Sequence, residues 1–416
     1  MDREEEGEGE GGQPMPICPS PPKQAPRSPS KPGPSPKKSS TTGKKKRRKK
    51  SYPINLNLSN CKYDILRIVA KKLGWKEVGD DDAWQVYWTD TSVSIDRVMR
   101  LTKSQKINHF TGMLEICRKN RLARNLNRMS EMFPEEYKYY PKSYILPQMK
   151  EELLGQFGKK KKTFILKPDA GCQGKGIYLA QTAAQVNKVL KEVETDNVVA
   201  QRYLHKPYLI DGYKFDIRIY ILVVSCDPLR VYMYNEGLAR FCTERYQAPR
   251  ADNLDQSFMH LTNYALNKKN ENYKFNEDGL EEGGGEGSKW SLEGLREHME
   301  EEGHDYDEMM AKVGQLTVKT LLSIQPLLAH NYWSVLKEEN NDGYSCFEIL
   351  GLDVMLDEKL RPWLIEVNHS PSFTVDTPLD REIKEGLIMD TIDLVRIDPR
   401  QIKKAKAEER KGFEQR

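Results

Sequence analysis

Two apolar segments near the end of the chain flank a short polar turn: Leu352-Asp353-Val354-Met355-Leu356, then Asp357-Glu358-Lys359, then Trp363-Leu364-Ile365-Glu366-Val367-Asn368-His369-Ser370. The pattern predicts a β-hairpin. Alternate strand positions face the same way, so Glu366 and Asn368 share one face, and Asp353 falls roughly opposite Glu366. Two carboxylates and an amide oxygen thus gather at the end of an otherwise buried sheet. Buried carboxylates need cations, and an all-oxygen donor set suits Mg²⁺ bridging to nucleotide phosphates. Acids merely solvated at strand ends are the competing reading.

The rest of the composition narrows the class. A chain of 416 residues, 38% of them hydrophobic, can bury a substantial core in more than one domain. No apolar run approaches a membrane span, and the acidic, Gly-rich start does not read as a signal peptide. Seven cysteines (Cys18, Cys61, Cys117, Cys172, Cys226, Cys242, Cys346) lack CxxC spacing, which argues for reduced thiols over a disulfide frame or zinc site. The net charge of +4 is small, so placement matters more than the total.

Residues 1–51 read as a disordered tail, acidic at first, then Pro/Ser/Lys-rich, closing with the basic run Lys44 to Lys50. That run suits a nuclear address, a nucleic-acid contact, an acidic protein surface or simple solvation. Ile54 to Leu58 alternates as a strand. Asn60 is then expected to cap a helix carrying Ile65, Leu66, Val69 and Leu73, stopped by Gly74. A strand over Trp84 to Trp88 completes a small α/β domain, residues 52–130. Later strands are expected at Val198 to Tyr203, Lys214 to Val224 and Arg230 to Tyr234, with helices at Ala184 to Val193 and Val313 to Ala329. Glu281 to Ser288 reads as a mobile loop. A basic, helical end (Lys403, Lys404, Lys406, Arg410, Lys411) occupies residues 399–416.

Between two strands lies Lys167-Pro168-Asp169-Ala170-Gly171-Cys172-Gln173-Gly174-Lys175-Gly176. This is not a P-loop, because Gly176 stands where Ser or Thr is required and a strand follows. Its glycines still permit backbone N–H groups to close over a phosphate, and Lys167 can reach phosphates as a point charge. A solvated hairpin lysine is the plainer alternative. Lys214-Phe215-Asp216-Ile217-Arg218-Ile219-Tyr220 alternates charged and apolar residues. It reads as a polar cleft wall or as a self-compensating surface ladder. In a cleft, Arg218 is placed to stabilise a transferring phosphoryl group, and Lys214 and Asp216 to meet ribose or base. Gln201-Arg202-Tyr203-Leu204 offers hinge backbone for an adenine edge. His260-Leu261-Thr262-Asn263-Tyr264 offers hydroxyl and amide groups that are equally good helix caps.

This order of segments resembles the ATP-grasp ligases, and the fold class expected is α+β. Further motifs sharpen it: Asn108-His109-Phe110-Thr111-Gly112-Met113, Pro141-Lys142-Ser143-Tyr144-Ile145-Leu146-Pro147, the Lys214 to Arg218 strand, His260 to Tyr264, and Ile365 to Asn368. Together they resemble the tubulin tyrosine ligase-like family over about residues 53–398, the polyglutamylase subgroup above all. The resemblance implies a central ATP-grasp domain at 131–222 and a C-terminal one with the Mg²⁺ site at 223–398.

By the same resemblance, Lys167, Gln173, Gly174, Gln201, Arg202, Tyr203, Leu204, Lys214, Phe215, Asp216, Thr262 and Asn263 would line the ATP site. Asp353, Glu366 and Asn368 would hold Mg²⁺. Lys167, Arg218 and Glu366 would carry the chemistry, in which ATP phosphorylates a tail carboxylate and an amine attacks the acylphosphate. Gln173, Arg240, Tyr264, Lys289 and His369 would receive glutamate or the tubulin tail, with cations suited to a dicarboxylate. The expected partners are tubulin, microtubules and free L-glutamate, with no nucleic acid, no membrane and a monomeric enzyme. The expected place is the cytoplasm and cytoskeleton, at microtubules and the cilium or basal body. Chain elongation with a preference for α-tubulin is the finer expectation. A glycylase, a glutamate ligase for another acidic protein, and a non-catalytic microtubule-binding module stay open. No nucleic-acid-binding motif accompanies Lys44 to Lys50.

Overall fold

The hydrophobic pattern of the central strand of the largest sheet organises the molecule. A computed structural model describes residues 54–416 apart from 159–160, 170–173, 175, 194–196, 278, 281–283, 337–340, 342, 396, 398–403, 405–406, 408–410 and 412–416. The expected N-terminal tail and its basic run lie outside the described residues. So do Gln173, Lys175, and Lys403, Lys406 and Arg410 of the basic end.

Three sheets form. The first is parallel, with β1 (Asn55–Asn57) between β2 (Lys76–Val78) and β3 (Val86–Tyr87), and β4 (Lys106–Ile107) outside β3. The helix Asp64–Lys72 links β1 to β2 and buries Ile65, Leu66, Val69 and Ala70. Asn60 is not its cap. Tyr63 holds that position without a side-chain bond, and the Asn60 amide donates instead to the Tyr87 hydroxyl at 2.6 Å. Asp64 in the first turn answers the positive helix end. Gly74 follows the helix at φ 69°, a conformation that side-chain-bearing residues avoid.

The second sheet is antiparallel, in the order β5 (Ser143–Leu146), β8 (Val198–Arg202), β6 (Phe164–Pro168), β7 (Tyr178–Ala180). The helix Ala183–Glu192 covers it, started by a Thr182/Gln185 capping box. The third sheet runs β12 (Lys289–Ser291), β11 (Leu229–Arg245), β10 (Tyr213–Cys226), β13 (Glu348–Leu356), β14 (Pro362–Asn368), with β9 (Leu209–Ile210) also paired to β10. All its pairings are antiparallel.

Strand β10 is buried on both faces, and its two faces do different things. Phe215, Ile217, Ile219, Ile221 and Val223 enter one core cluster with the helices Leu292–Glu301 and Tyr306–Leu322. Tyr220, Leu222 and Val224 enter another with the first sheet and the helix Pro378–Val395. Each such side chain stabilises the fold by roughly 1.5–3 kcal/mol. Nearer its start, that second face carries Lys214, Asp216 and Arg218.

Two expected elements differ. Val313 to Ala329 is two helices, Tyr306–Leu322 and Gln325–Val335, because Pro326 cannot donate a helical hydrogen bond and so begins a new helix. Strand β11 continues far past Tyr234. The polar Asn235-Glu236-Gly237 hides this continuation, although Gly237 enables it: a Cβ there would lie 2.3 Å from the Arg218 carbonyl, beside a register shift against β10.

A polar clamp ties the first sheet to the third. His109 Nδ1 is 2.9 Å from Glu348 Oε1, His109 Nε2 is 2.9 Å from the Thr89 carbonyl, and the Phe110 amide donates to Glu348 Oε2 at 2.9 Å. Burial opposes the imidazolium most strongly, but the Glu348 charge together with the hydrogen bonds to Glu348 and the Thr89 carbonyl outweighs it and raises the His109 pKa. A raised folded pKa gives stability that is full below the unfolded value of about 6.5 and lost as pH climbs through the folded one. His109→Leu strands a buried carboxylate, so urea unfolding should show a loss of ~3–5 kcal/mol near neutral pH. Part of that loss should be recovered as pH falls, because burial raises the folded pKa of the stranded Glu348 and protonation relieves it.

Candidate functional site

Strand register places the charged residues in rows. Asp216 on β10 pairs with Arg240 on β11, and Arg240 with Lys289 on β12. Arg218 pairs with Asp353 on β13, and Asp353 with Glu366 on β14. Asp353 and Glu366 therefore stand opposite, as the hairpin pattern predicts. Strands β13 and β14 are the two strands expected, joined through Asp357 to Arg361.

Ion pairs bind the rows together. Arg218 donates from Nε to Asp353 Oδ1 at 2.5 Å and from Nη2 to Oδ2 at 3.2 Å. Arg240 donates from Nε to Asp216 Oδ1 at 2.8 Å, while its Nη2 reaches Asp216 Oδ2 and lies 2.8 Å from Asp353 Oδ2. Asp216 and Asp353 are buried and Arg240 nearly so. The Lys214 to Arg218 strand is thus no surface ladder. Burial alone would raise the Asp353 pKa, but the two guanidiniums hold it well below the usual carboxylate range. At Asp216 burial outweighs Arg240 and the pKa rises.

Glu366 is held differently. Its carboxylate accepts from the Asn368 amide at 3.3 Å, and burial, then Asp353, raise its pKa. Among the described residues, no three His, Cys, Asp or Glu side chains group as a metal cluster. Asp353, Glu366 and the Asn368 amide nevertheless supply hard oxygens, and a divalent cation would relieve two neighbouring carboxylates, Asp353 buried and Glu366 half-buried. Asp353 Oδ2 faces both arginines, whereas Oδ1 meets one arginine donor and keeps a lone pair for a cation. The donor chemistry fits Mg²⁺.

Lys167 comes from β6 of the second sheet. It donates to Gln201 Oε1 at 2.9 Å, and Gln201 donates to Ser143 Oγ at 3.0 Å. Burial pulls its pKa down to about 8 despite Glu366. Lys214 donates to the Tyr203 hydroxyl at 2.9 Å and the His260 carbonyl at 2.6 Å, and burial brings it too to about 8. Arg202 ends β8 with a buried Nη1 that has no partner among the described residues. Leu204 follows, half-buried. Asn263 makes no side-chain cap bond to the short helix behind it. It lies instead against Gly174, where a Cβ would come within 3.2 Å of its Oδ1. Thr262 is buried beside it.

A cavity of about 350 Å³ is walled by Arg218, Arg240, Asn263, Tyr264, Lys289, Glu366 and Asn368 among others. Lys289 bonds Asp380 at 2.8 Å and lies 4.0 Å over the Tyr264 ring, whose hydroxyl donates to Asp376. Two expected residues point elsewhere. His369 does not wall this cavity: its ring lies 5.5 Å from that of His109, because it follows Asn368 and strand neighbours face opposite ways. The Phe215 side chain enters the core, stacked on Phe241 at 5.1 Å, leaving only its backbone for a ligand. Asp380 and Lys384 were missed. Their i, i+4 spacing after Pro378 is the signal that could have revealed them. A larger cleft of about 870 Å³, walled by Tyr213, Phe241, Glu271 and Trp290 among others, contains none of the expected site residues.

The model of the tubulin-tyrosine ligase family matches residues 98–405. The chain belongs to the tubulin-tyrosine ligase family. Tubulin polyglutamylase ttll6 of Danio rerio is 46% identical over 362 residues, 87% of this chain and 45% of that protein. Tubulin polyglutamylase TTLL13 of Mus musculus is 46% identical over 89% of this chain and 44% of its own. A probable beta-tubulin polyglutamylase of Tetrahymena thermophila is 45% identical over 83% and 29%. The chain spans less than half the length of these relatives. All the charged residues described, from Lys167 to Lys384, fall within the tubulin-tyrosine ligase match.

The arginine pairing predicts a pH signature. Arg240→Met removes the cation from Asp216 and one of two from Asp353, costing ~3–5 kcal/mol near neutral pH. The stranded carboxyl then has a folded pKa above its unfolded ~3.9, so stability recovers as pH falls toward the folded value. Wild-type Asp353 behaves oppositely, contributing above about 3.9 and losing that contribution at lower pH. Urea midpoints should therefore converge between wild type and variant at about pH 5 relative to about pH 7.5. An equal gap at both contradicts the assignment.

Proposed function

We propose that the chain is an ATP- and Mg²⁺-dependent ligase of ATP-grasp architecture that adds glutamate to glutamate side chains of tubulin C-terminal tails. The cationic cavity carrying Arg218, Arg240 and Lys289 directly beside Asp353, Glu366 and Asn368 carries this reading, because it places recognition of carboxylates next to a phosphate-binding cation site. The names of the relatives agree with it.

The chain's own groups then have definite tasks. Lys167 and Lys214 approach the nucleotide from opposite sides of the cleft, Lys167 at phosphate and Lys214 nearer ribose or base. Gly174, Gln201 to Leu204, Asp216, Thr262 and Asn263 complete that side, as does the backbone at Phe215. Asp353, Glu366 and Asn368 would hold Mg²⁺, which supplies charge neutralisation on the phosphates. Arg218 faces the γ-phosphoryl group as its negative charge is redistributed. A tail carboxylate oxygen attacks that phosphorus, and the bond to ADP breaks. The amine of glutamate then attacks the acyl carbon and phosphate leaves, forming an amide, while the amine proton passes to solvent. Arg240, Lys289 and Tyr264 orient the acidic groups.

The cationic wall favours glutamate over glycine, and the retained Lys167, Asp353, Glu366 and Asn368 set favours an enzyme over an inert microtubule-binding module. Elongation on α-tubulin is the acceptor mode proposed, at microtubules and the cilium or basal body. The exposed, helical Lys404 and Lys411 offer contacts to the acidic tails.

Labelled glutamate, glycine and tyrosine offered in parallel with ATP and microtubules test this directly. Glutamate should be incorporated, and Glu366→Gln should reduce the rate by ~10²-fold or more. Preference for glycine or tyrosine would overturn the pocket assignment, and α- against β-tubulin labelling reads the acceptor. Because Lys167 and Lys214 lose their protons near pH 8 in the free enzyme, KM for ATP should be flat below that value. It should rise above it, by at most ~10-fold per pH unit for each lysine. A pH-independent KM up to about 9.5 would remove both lysines from the nucleotide site.

A further inference from the structure

One face of the second sheet carries a row of polar groups with a fixed direction. On β8, Gln201 pairs with Ser143 of β5 on one side and with Ile165 of β6 on the other. Lys167 stands two residues beyond Ile165, so it shares that face and reaches Gln201 diagonally. The opposite face, with Tyr144, Phe164, Leu166 and Ala200, is packed into an apolar core. Ser143, Gln201 and Lys167 therefore stand on packed backbone, and they are only 0%, 2% and 6% exposed.

Counting donors and acceptors sets the direction of the row. A serine hydroxyl has one proton, and Ser143 gives it to the Pro141 carbonyl at 2.8 Å. Toward Gln201 its oxygen can then only accept, from Nε2 at 3.0 Å. That turns the other end of the amide, Oε1, to Lys167 Nζ at 2.9 Å. A reversed amide would set an NH2 group against the ammonium, two buried donors with no acceptor between them. The Tyr140 hydroxyl adjoins both Ser143 and Gln201, and burial pushes its pKa up to about 12, so it adds no charge to the row. An ammonium has three N–H groups. Lys167 uses one on Gln201, and no acceptor among the described residues takes the other two.

We propose that Ser143 is a positioning residue for nucleotide binding: through the Gln201 amide it presents one acceptor to Lys167 and leaves two N–H groups aimed at the phosphates. The relay rests on the ligase reading above, in which Lys167 meets phosphate. An amide holds the lysine without cancelling its charge, which stays available to an anion. An amide also has two unlike ends, and Ser143 decides which of them faces the lysine. Ser143 acts only through Gln201.

Calorimetric titration of the full chain with MgATP, in the absence of tubulin, tests the relay. Ser143→Ala frees the amide to turn and should raise the Kd for ATP roughly 10-fold, the low end for a hydrogen bond to a charged group. Ser143→Cys keeps the volume but is a weak acceptor, so it should lose affinity in the same way. KM for glutamate should not change in either variant. Gln201→Glu presents an acceptor oxygen at both ends, so adding Ser143→Ala to it should alter the Kd by less than about 2-fold. Wild-type affinity in Ser143→Cys, an equal loss from Ser143→Ala in both backgrounds, or a matching rise in KM for glutamate reduces Ser143 to packing. Each of these overturns the relay and leaves the ligase reading intact. Wild-type protein that binds no ATP overturns the nucleotide site, and the relay with it.

Discussion

The site depends on one buried construction, the two arginines that share Asp353. Arg218 and Arg240 approach its two oxygens from neighbouring strands, and Arg240 simultaneously holds Asp216. A buried carboxylate left alone would protonate, and Asp353 would then be a poor anchor for anything cationic. The guanidiniums keep it ionised where burial would not. Their planar, forked geometry also fixes the side chain's direction, which a lysine could not do as well. The register of three strands is therefore expressed as the charge state of one carboxylate.

Strand β10 shows how a core and a reactive cleft can share a single segment. One face is apolar from Phe215 to Val223, and helices bury it. The other changes from Lys214, Asp216 and Arg218 to Tyr220, Leu222 and Val224. The apolar portion anchors the polar portion, so the charged side chains stand on backbone that has little freedom to move. The same confinement depresses the lysines. Lys167 and Lys214 lie near a pKa of about 8 because burial penalises their charge, a penalty that an anionic ligand would relieve.

Much of this was legible in the residues, for identifiable reasons. The terminal hairpin declares itself through two apolar runs around a polar turn, and the facing of Asp353 and Glu366 follows from strand geometry alone. The Lys214 to Arg218 alternation likewise gave a polar face, although only the structure distinguishes a cleft wall from a solvated ladder. Phe215 and His369 misled because a motif marks a stretch of chain, whereas a side chain's direction alternates along it. Strand β12, carrying Lys289, was hidden because three residues beside a Gly-rich stretch hold too little pattern to read. Asp380 and Lys384 were overlooked because their partner, Lys289, is distant in sequence. The cap assigned to Asn60 failed through competition from a tertiary partner, Tyr87.

The helix Pro378–Val395 has a second side. Flanking Asp380 and Lys384, its Leu379, Ile383, Leu387 and Ile388 share a core with Leu56 and Leu66 of the first sheet and its helix. The family match begins only at residue 98, yet the cavity wall is braced by residues that precede it. The start of the family-model match is thus not a folding boundary. A fragment trimmed to that boundary would bare apolar side chains of this helix to water, and the helix carrying Lys384 would lose part of its support. In this protein the segment before residue 98 serves as a buttress for the cavity wall.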